Sequence, residues 1–207
     1  LPSRGLGDVY KRQYLDSLGF MDRENERPMQ EDAIFRIYSM TKSVTSIAVM
    51  QLLEKSKFRL DDPVHWYIPQ FKDIGVYQAG VYPNFLTSKP ERDMSIKDLL
   101  THMSGLTYNF MYRTNADAAH RSSDLMRSEN LEEFVNTLSK LPLEFSPGKK
   151  WNYSVSTDVL GYLVEQVSGQ SLDEYFKKNI FEPLGMEDTD FECPDDKLSR
   201  LASLYEY

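Results

Sequence analysis

The sequence predicts a mostly helical chain with few strands, and three observations carry that expectation. Val44, Ile47, Ala48, Val49, Met50, Leu52 and Leu53 make an apolar run over about 39–53. Apolar residues fall on most of its faces, so it reads as a buried helix. Val155, Val159, Leu160, Leu163, Val164 and Val167 follow a 3.6-residue period that stops at Gly169, the pattern of a helix with a glycine terminator. Helix-start chemistry also recurs: Ser95-Ile-Lys-Asp98 and Ser171-Leu-Asp-Glu174 are capping-box sequences, and Asn130 precedes an apolar stretch.

In chain order, residues 1–13 have no helical or strand period and resemble a translated cloning or sequencing adaptor, so they stay outside the fold argument. Residues 14–21 suit a strand, followed by the polar turn Arg23-Glu-Asn-Glu-Arg-Pro28. Ile34-Phe-Arg-Ile-Tyr38 leads into the helix over 39–53, and Leu60-Asp-Asp-Pro63 closes that segment with turn residues. Residues 72–93 contain Gly75, Gly80, Pro83 and Pro90 without a sustained period, which predicts a surface excursion. A short helix from Ser95 ends near Leu100. Met103-Ser-Gly105 then turns into an aromatic loop with Tyr108, Phe110, Met111 and Tyr112. A helix over about 131–141, the turn Phe145-Ser-Pro-Gly148, the periodic helix to Gly169, and a last helix from Ser171 to Pro183 complete the order. The ending Leu201-Ala-Ser-Leu-Tyr-Glu-Tyr207 has no cap or polar tail and reads as a chain cut inside a domain.

Composition narrows the function classes. The 207 residues carry 24 Lys and Arg against 32 Asp and Glu, a net charge of −8. An acidic chain is a poor partner for nucleic acid, whose phosphates need a basic face. No run approaches the roughly 18 apolar residues of a membrane helix. One cysteine, Cys193, excludes an internal disulfide and a multi-cysteine zinc site. His65, His102 and His120 lack metal-ligand spacing, so neither metal nor cofactor is expected.

The chemical signal is Ser39-Met-Thr-Lys42, a Ser-x-x-Lys motif. In the first turn of a helix, positions i and i+3 share a face, so the amine can reach the hydroxyl. Burial and the positive helix end both disfavour the ammonium, which would make Lys42 a neutral base. A backbone N–H at that helix end can face an oxyanion. By itself the motif is weak: 20 serines and 13 lysines produce about one by chance. A second, Ser146-Pro-Gly-Lys149, has a Pro-Gly centre that forbids a helical turn. The bland alternative for Ser39 is an N-cap with a solvated Lys42. Against it stand the unfavourable position of a lysine near a helix N-terminus and the apolar helix that follows.

Phe35-Arg-Ile-Tyr-Ser-Met-Thr-Lys-Ser-Val-Thr45 resembles the nucleophile segment of class C β-lactamases and related serine hydrolases, penicillin-binding proteins among them. The resemblance continues in order through Leu60-Asp-Asp-Pro63, Leu99-Leu-Thr-His-Met-Ser-Gly-Leu106, Phe145-Ser-Pro-Gly148, Trp151-Asn-Tyr-Ser154, Asp158-Val-Leu-Gly161 and Pro183-Leu-Gly-Met186. It covers most of residues 19–190 and is closest to the family VIII carboxylesterases. It implies an α/β (α+β) β-lactamase/transpeptidase-like fold, a helical domain with an antiparallel sheet that this chain leaves incomplete. Residues 14–207 would then be the N-terminal part of one catalytic domain.

The same resemblance implies that Tyr153 faces the nucleophile as general base, its proton drawn off by lysine. Without Ser39 and Lys42 it would read as a core tyrosine beside Trp151. β-Lactamases carry Tyr-x-Asn here, whose asparagine holds the antibiotic amide and orients the lysine. Val155 occupies that position, which weighs against an efficient β-lactamase. The family's third motif, Lys, His or Trp followed by x-Gly, is absent, and with it one oxyanion donor. The implied substrate is a small ester or amide, most simply an ester hydrolysed through an acyl-enzyme on Ser39, with β-lactamase or D-Ala-D-Ala carboxypeptidase as the alternative. A non-catalytic binding or filament-forming relative would not need to retain Ser39, Lys42 and Tyr153. A Ser-His-Asp hydrolase lacks its Gly-x-Ser-x-Gly elbow: Gly169-Gln-Ser-Leu-Asp173 fails at the last position. His102 falls in a block that the family uses structurally. Asn152-Tyr-Ser154 is also a glycosylation sequon, read as accidental.

Overall fold

The structure is a computed structural model that describes residues 15–205. The readings for residues 1–13 and for Tyr14 lie outside them. Two compact units are present: Ser39–Glu187, and the described parts of Leu1–Tyr38 with Asp188–Tyr207.

In the smaller unit, β1 (Phe20–Asp22) and β2 (Arg27–Pro28) form an antiparallel hairpin around the polar turn. The strand read over 14–21 is therefore short and sits at its C-terminal end. Residues 200–203 lie along it: the Ile34 N–H donates to the Arg200 carbonyl at 2.8 Å, and the Ser203 N–H to the Met21 carbonyl at 2.9 Å.

In the larger unit, α1 (Thr41–Glu54) buries Thr45, Ala48, Val49 and Leu52. The expectation that this helix is buried on most faces fails. Ile47 is 49% and Met50 42% exposed, so one apolar face lies open. The helix at the centre of the core is α5 (Ser156–Ser168), which buries residues 159–164 and against which α1, α2 (Ile96–Leu100), α4 (Leu131–Leu138) and α6 (Leu172–Phe176) all pack. It ends where Gly169 takes the left-handed φ of 72° that a side chain disfavours.

Both halves of the Ser95–Asp98 capping box form, and the Asn130 side chain accepts the Glu133 N–H at 2.9 Å. Each satisfies a donor that a helix start leaves orphaned. The Ser171 capping box does not form; no side-chain cap bond is made there. The last helix also outruns its expected stop. A π-helical stretch, Lys177–Phe181, follows α6, and Glu182–Leu184 stays helical through Pro183 until left-handed Gly185.

Two elements were not foreseen. Residues 72–93 contain an antiparallel hairpin, β3 (Val76–Val81) with β4 (Asn84–Ser88), paired from Val76↔Ser88 to Val81↔Asn84. It is moored to the chain at Leu143, whose carbonyl accepts the Tyr77 N–H at 2.9 Å. α3 (Asn115–Ser122) begins at a Thr114–Asp117 capping box. Among the described residues the strands make two two-stranded sheets, so the larger sheet implied by the resemblance is not present here.

Candidate active site

Ser39 lies in the 3-10 turn Tyr38–Met40 that runs directly into α1. Lys42 is the second residue of α1, and one helical turn carries its Nζ to 3.2 Å from Ser39 Oγ. Ser39 is exposed and open to a substrate. Tyr153 stands in the irregular segment before α5 and places its Oη 2.7 Å from the same Oγ. All three candidate residues thus meet on one oxygen.

The route of the chain explains how Tyr153 arrives there. After the Phe145-Ser-Pro-Gly148 turn, residues 148–155 run beside residues 102–107. The Gly148 N–H donates to the Met103 carbonyl at 2.8 Å, the Asn152 N–H to His102 at 2.9 Å and the Val155 N–H to Thr107 at 3.3 Å. Val155 is 1% exposed and belongs to the apolar core, so the position offers no amide to the site. Asn152 is buried, its Nδ2 donating to the Leu106 carbonyl at 3.0 Å and its Oδ1 accepting from Arg113 at 2.6 Å. In this fold the sequon side chain is not open to modification.

Two residues that sequence reasoning did not single out complete the surroundings of Lys42. Its Nζ sits 5.0 Å from the Tyr153 ring centre and 5.5 Å from that of Tyr108. Tyr108 Oη donates to Asp158 Oδ2 at 3.4 Å, and the Tyr108 ring stacks on Phe110 at 4.8 Å. Asp158 carried a weak signal, a carboxylate inside an otherwise apolar helix pattern.

The surroundings shift Lys42 and Tyr153 in opposite directions. Burial pulls the Lys42 pKa down, but hydrogen bonds with Tyr153 and Tyr108 outweigh it and hold it above the ordinary lysine value. This direction favours the ammonium form of Lys42 over the neutral lysine that burial alone would suggest. Burial pushes Tyr153 up, but the bonds from Lys42 and Ser39 and the Lys42 charge bring it below the ordinary tyrosine value. Tyr108 goes the other way, to about 12, through burial and the Asp158 charge. Burial also raises Asp158 despite Lys42 nearby. Of the two phenols, Tyr153 is the one prepared to lose a proton.

His102 reaches the site without touching the nucleophile. Its ring centre is 5.0 Å from that of Tyr153, and its Nδ1 faces Ser154. The second Ser-x-x-Lys is structural: Ser146 Oγ accepts the Glu91 N–H at 2.9 Å, and Lys149 Nζ pairs with the Glu91 carboxylate at 2.6 Å. Among the described residues no three His, Cys, Asp or Glu side chains gather as metal ligands would.

A serine held between a lysine and a tyrosine at the start of a core helix defines an SxxK-type serine site on a β-lactamase/transpeptidase-like fold. The chain belongs to the Beta-lactamase family, which matches residues 6–207. Esterase EstB of Burkholderia gladioli is 36% identical over 181 residues, 86% of this chain and 43% of EstB. Among solved structures, EstCE1, described as a hydrolase with promiscuous acyltransferase activity, superposes with a TM-score of 0.77 at 30% identity, covering 93% of this chain and 48% of its own. Simvastatin synthase (LovD) from Aspergillus terreus gives 0.75 at 29% identity over 89% and 47%. The chain spans about half the length of the curated relatives it matches.

Proposed function

We propose that the protein carrying this chain is a serine hydrolase that acylates Ser39, with small carboxylic esters as substrates. The observation that carries this reading is the 2.7 Å approach of Tyr153 Oη to Ser39 Oγ, with Lys42 Nζ at 3.2 Å on the same oxygen. Tyr153 takes the Ser39 proton as Oγ attacks the ester carbonyl. The tetrahedral oxyanion collapses, and Tyr153 returns that proton to the departing alkoxide. Water then attacks the acyl-enzyme, again losing a proton to Tyr153, and the acid leaves with Ser39 restored. The Lys42 charge favours the phenolate form of Tyr153 whenever it must accept a proton.

EstB is named an esterase and EstCE1 a hydrolase, which supports ester cleavage. The buried Val155 supports esters over β-lactams, because no side-chain amide stands where a β-lactam amide would need one. Residues 14–207 would supply the nucleophile and base, the second oxyanion donor coming from a later strand of the same domain. The test compares p-nitrophenyl butyrate with a chromogenic cephalosporin on that protein. Ester turnover exceeding β-lactam turnover by 100-fold or more is expected, and the reverse order would overturn the esterase reading.

A further inference from the structure

Tyr153 has an exacting task in a segment with no helix or strand to hold it. Its neighbours on both sides are bound to one residue. The Asn152 N–H donates to the His102 carbonyl at 2.9 Å, and the Ser154 N–H donates to His102 Nδ1 at 3.3 Å. The His102 ring also packs against the Tyr153 ring, centres 5.0 Å apart. His102 itself has a φ of 56°, a region that non-glycine residues seldom enter. The anchor continues inward, where Ser154 Oγ, Ser156 Oγ and Ser104 Oγ link in a buried chain at 2.7 Å per step. From this we infer that His102 is a positioning residue that clamps Tyr153 onto Ser39, and that it works only as the neutral Nε2–H tautomer.

The tautomer follows from the donor. Ser154 Oγ, also 3.3 Å from Nδ1, can donate or accept there, but a backbone N–H can only donate, so the Ser154 N–H bond needs a lone pair on Nδ1 and puts the proton on Nε2. An imidazolium has no lone pair at Nδ1 and would release Ser154. The charged and titratable groups around the ring are Lys42 and Tyr153, with Trp151 packed against its edge. Burial and the Lys42 charge both lower the His102 pKa, so the clamp stays closed at neutral pH and opens as pH falls. This role rests on Tyr153 being the base.

The test has two arms on the protein carrying this chain. In the first, nitrogen-15 spectra of the histidine ring and hydrogen exchange at the Ser154 amide report the clamp without reference to activity. Nε2–H at pH 7 and a protected Ser154 amide, with protection lost in His102→Ala, are expected; Nδ1–H at pH 7 or an unprotected amide would overturn the clamp. In the second, His102→Ala is expected to lower kcat on p-nitrophenyl butyrate about 10–100-fold with KM within threefold. His102→Asn, whose amide oxygen can accept the same bond and which tolerates positive φ, is expected to recover most of that loss. Melting curves confirm that both variants are folded. A folded His102→Ala with wild-type kcat, or a folded His102→Asn no better than His102→Ala, would overturn the positioning role. Failure of the base reading shows separately, as wild-type turnover in Tyr153→Phe.

Discussion

If Ser39 and Tyr153 share a proton under the charge of Lys42, as proposed, the site's pH behaviour follows. With Tyr153 lowered and Lys42 raised, activity is expected to rise as pH climbs through the depressed tyrosine pKa. It should stay high until the ammonium is lost above the ordinary lysine range. Lys42→Ala removes the charge that lowers Tyr153, so the acidic limb of kcat/KM against pH should move to higher pH; an unmoved limb would assign it to another group. Lys42→Ala and Tyr153→Phe should each lower kcat by about 10²–10⁴-fold. The double variant should be little worse than either, since groups acting as one unit are not additive; effects that simply multiply would separate the two residues. The sequence offered Ser39, Lys42 and Tyr153 as candidates through motif and order, and the structure brings them together. The sequence did not show that Tyr108 and Asp158 surround Lys42, because they reach it only through the tertiary path that brings residues 102–107 beside 148–155.

Among the elements, α5 was legible because a buried helix with a strict period and a glycine stop leaves a complete pattern in one dimension. The β3–β4 hairpin was not, because few of its side chains are buried and no clean alternation marks it. α3 was missed because Asn115-Ala-Asp-Ala-Ala-His-Arg-Ser122 is short and polar, although Thr114 and Asp117 spelled its capping box. That helix carries an acid-sensitive group. His120 is 2% exposed, its Nδ1 has no hydrogen-bond partner among the described residues, and burial, against Asp117 and with Arg121, lowers its pKa to about 4. Between pH 6.5 and 4 the unfolded chain therefore takes up a proton that the folded chain refuses, so stability falls with pH across that window, by up to about 3 kcal/mol at pH 4. Denaturant midpoints should flatten over that range in His120→Gln; an unchanged slope would assign the loss elsewhere. The turn after α2 is as demanding. Gly105 has a φ of 87°, and a Cβ there would run into the Phe145 carbonyl oxygen. Gly105→Ala should cost about 3 kcal/mol or more, and a melting point within a degree or two of wild type would contradict the tight approach of these segments.

In the larger unit, Ser39, Lys42 and Tyr153 stand at the start of a helix with an exposed apolar face. Met40, Ile47 and Met50 along the start and length of α1 are 42–69% exposed, and exposed apolar patches on a helix of this kind favour association. Expressed alone, residues 14–207 are expected to self-associate and to turn over esters poorly. Ile47→Glu with Met50→Glu should shift that chain toward monomer in size-exclusion chromatography; a wild-type chain that elutes as a monomer with full ester activity would contradict this. The proposed acylation, by contrast, rests on three residues that already stand together at Ser39 Oγ. The most direct test incubates the protein carrying this chain with a fluorophosphonate and maps the adduct by peptide mass spectrometry. The account predicts one adduct on Ser39, formed much more slowly in Tyr153→Phe and absent in Ser39→Ala. An adduct on another serine, or labelling that persists undiminished in Ser39→Ala, would contradict it.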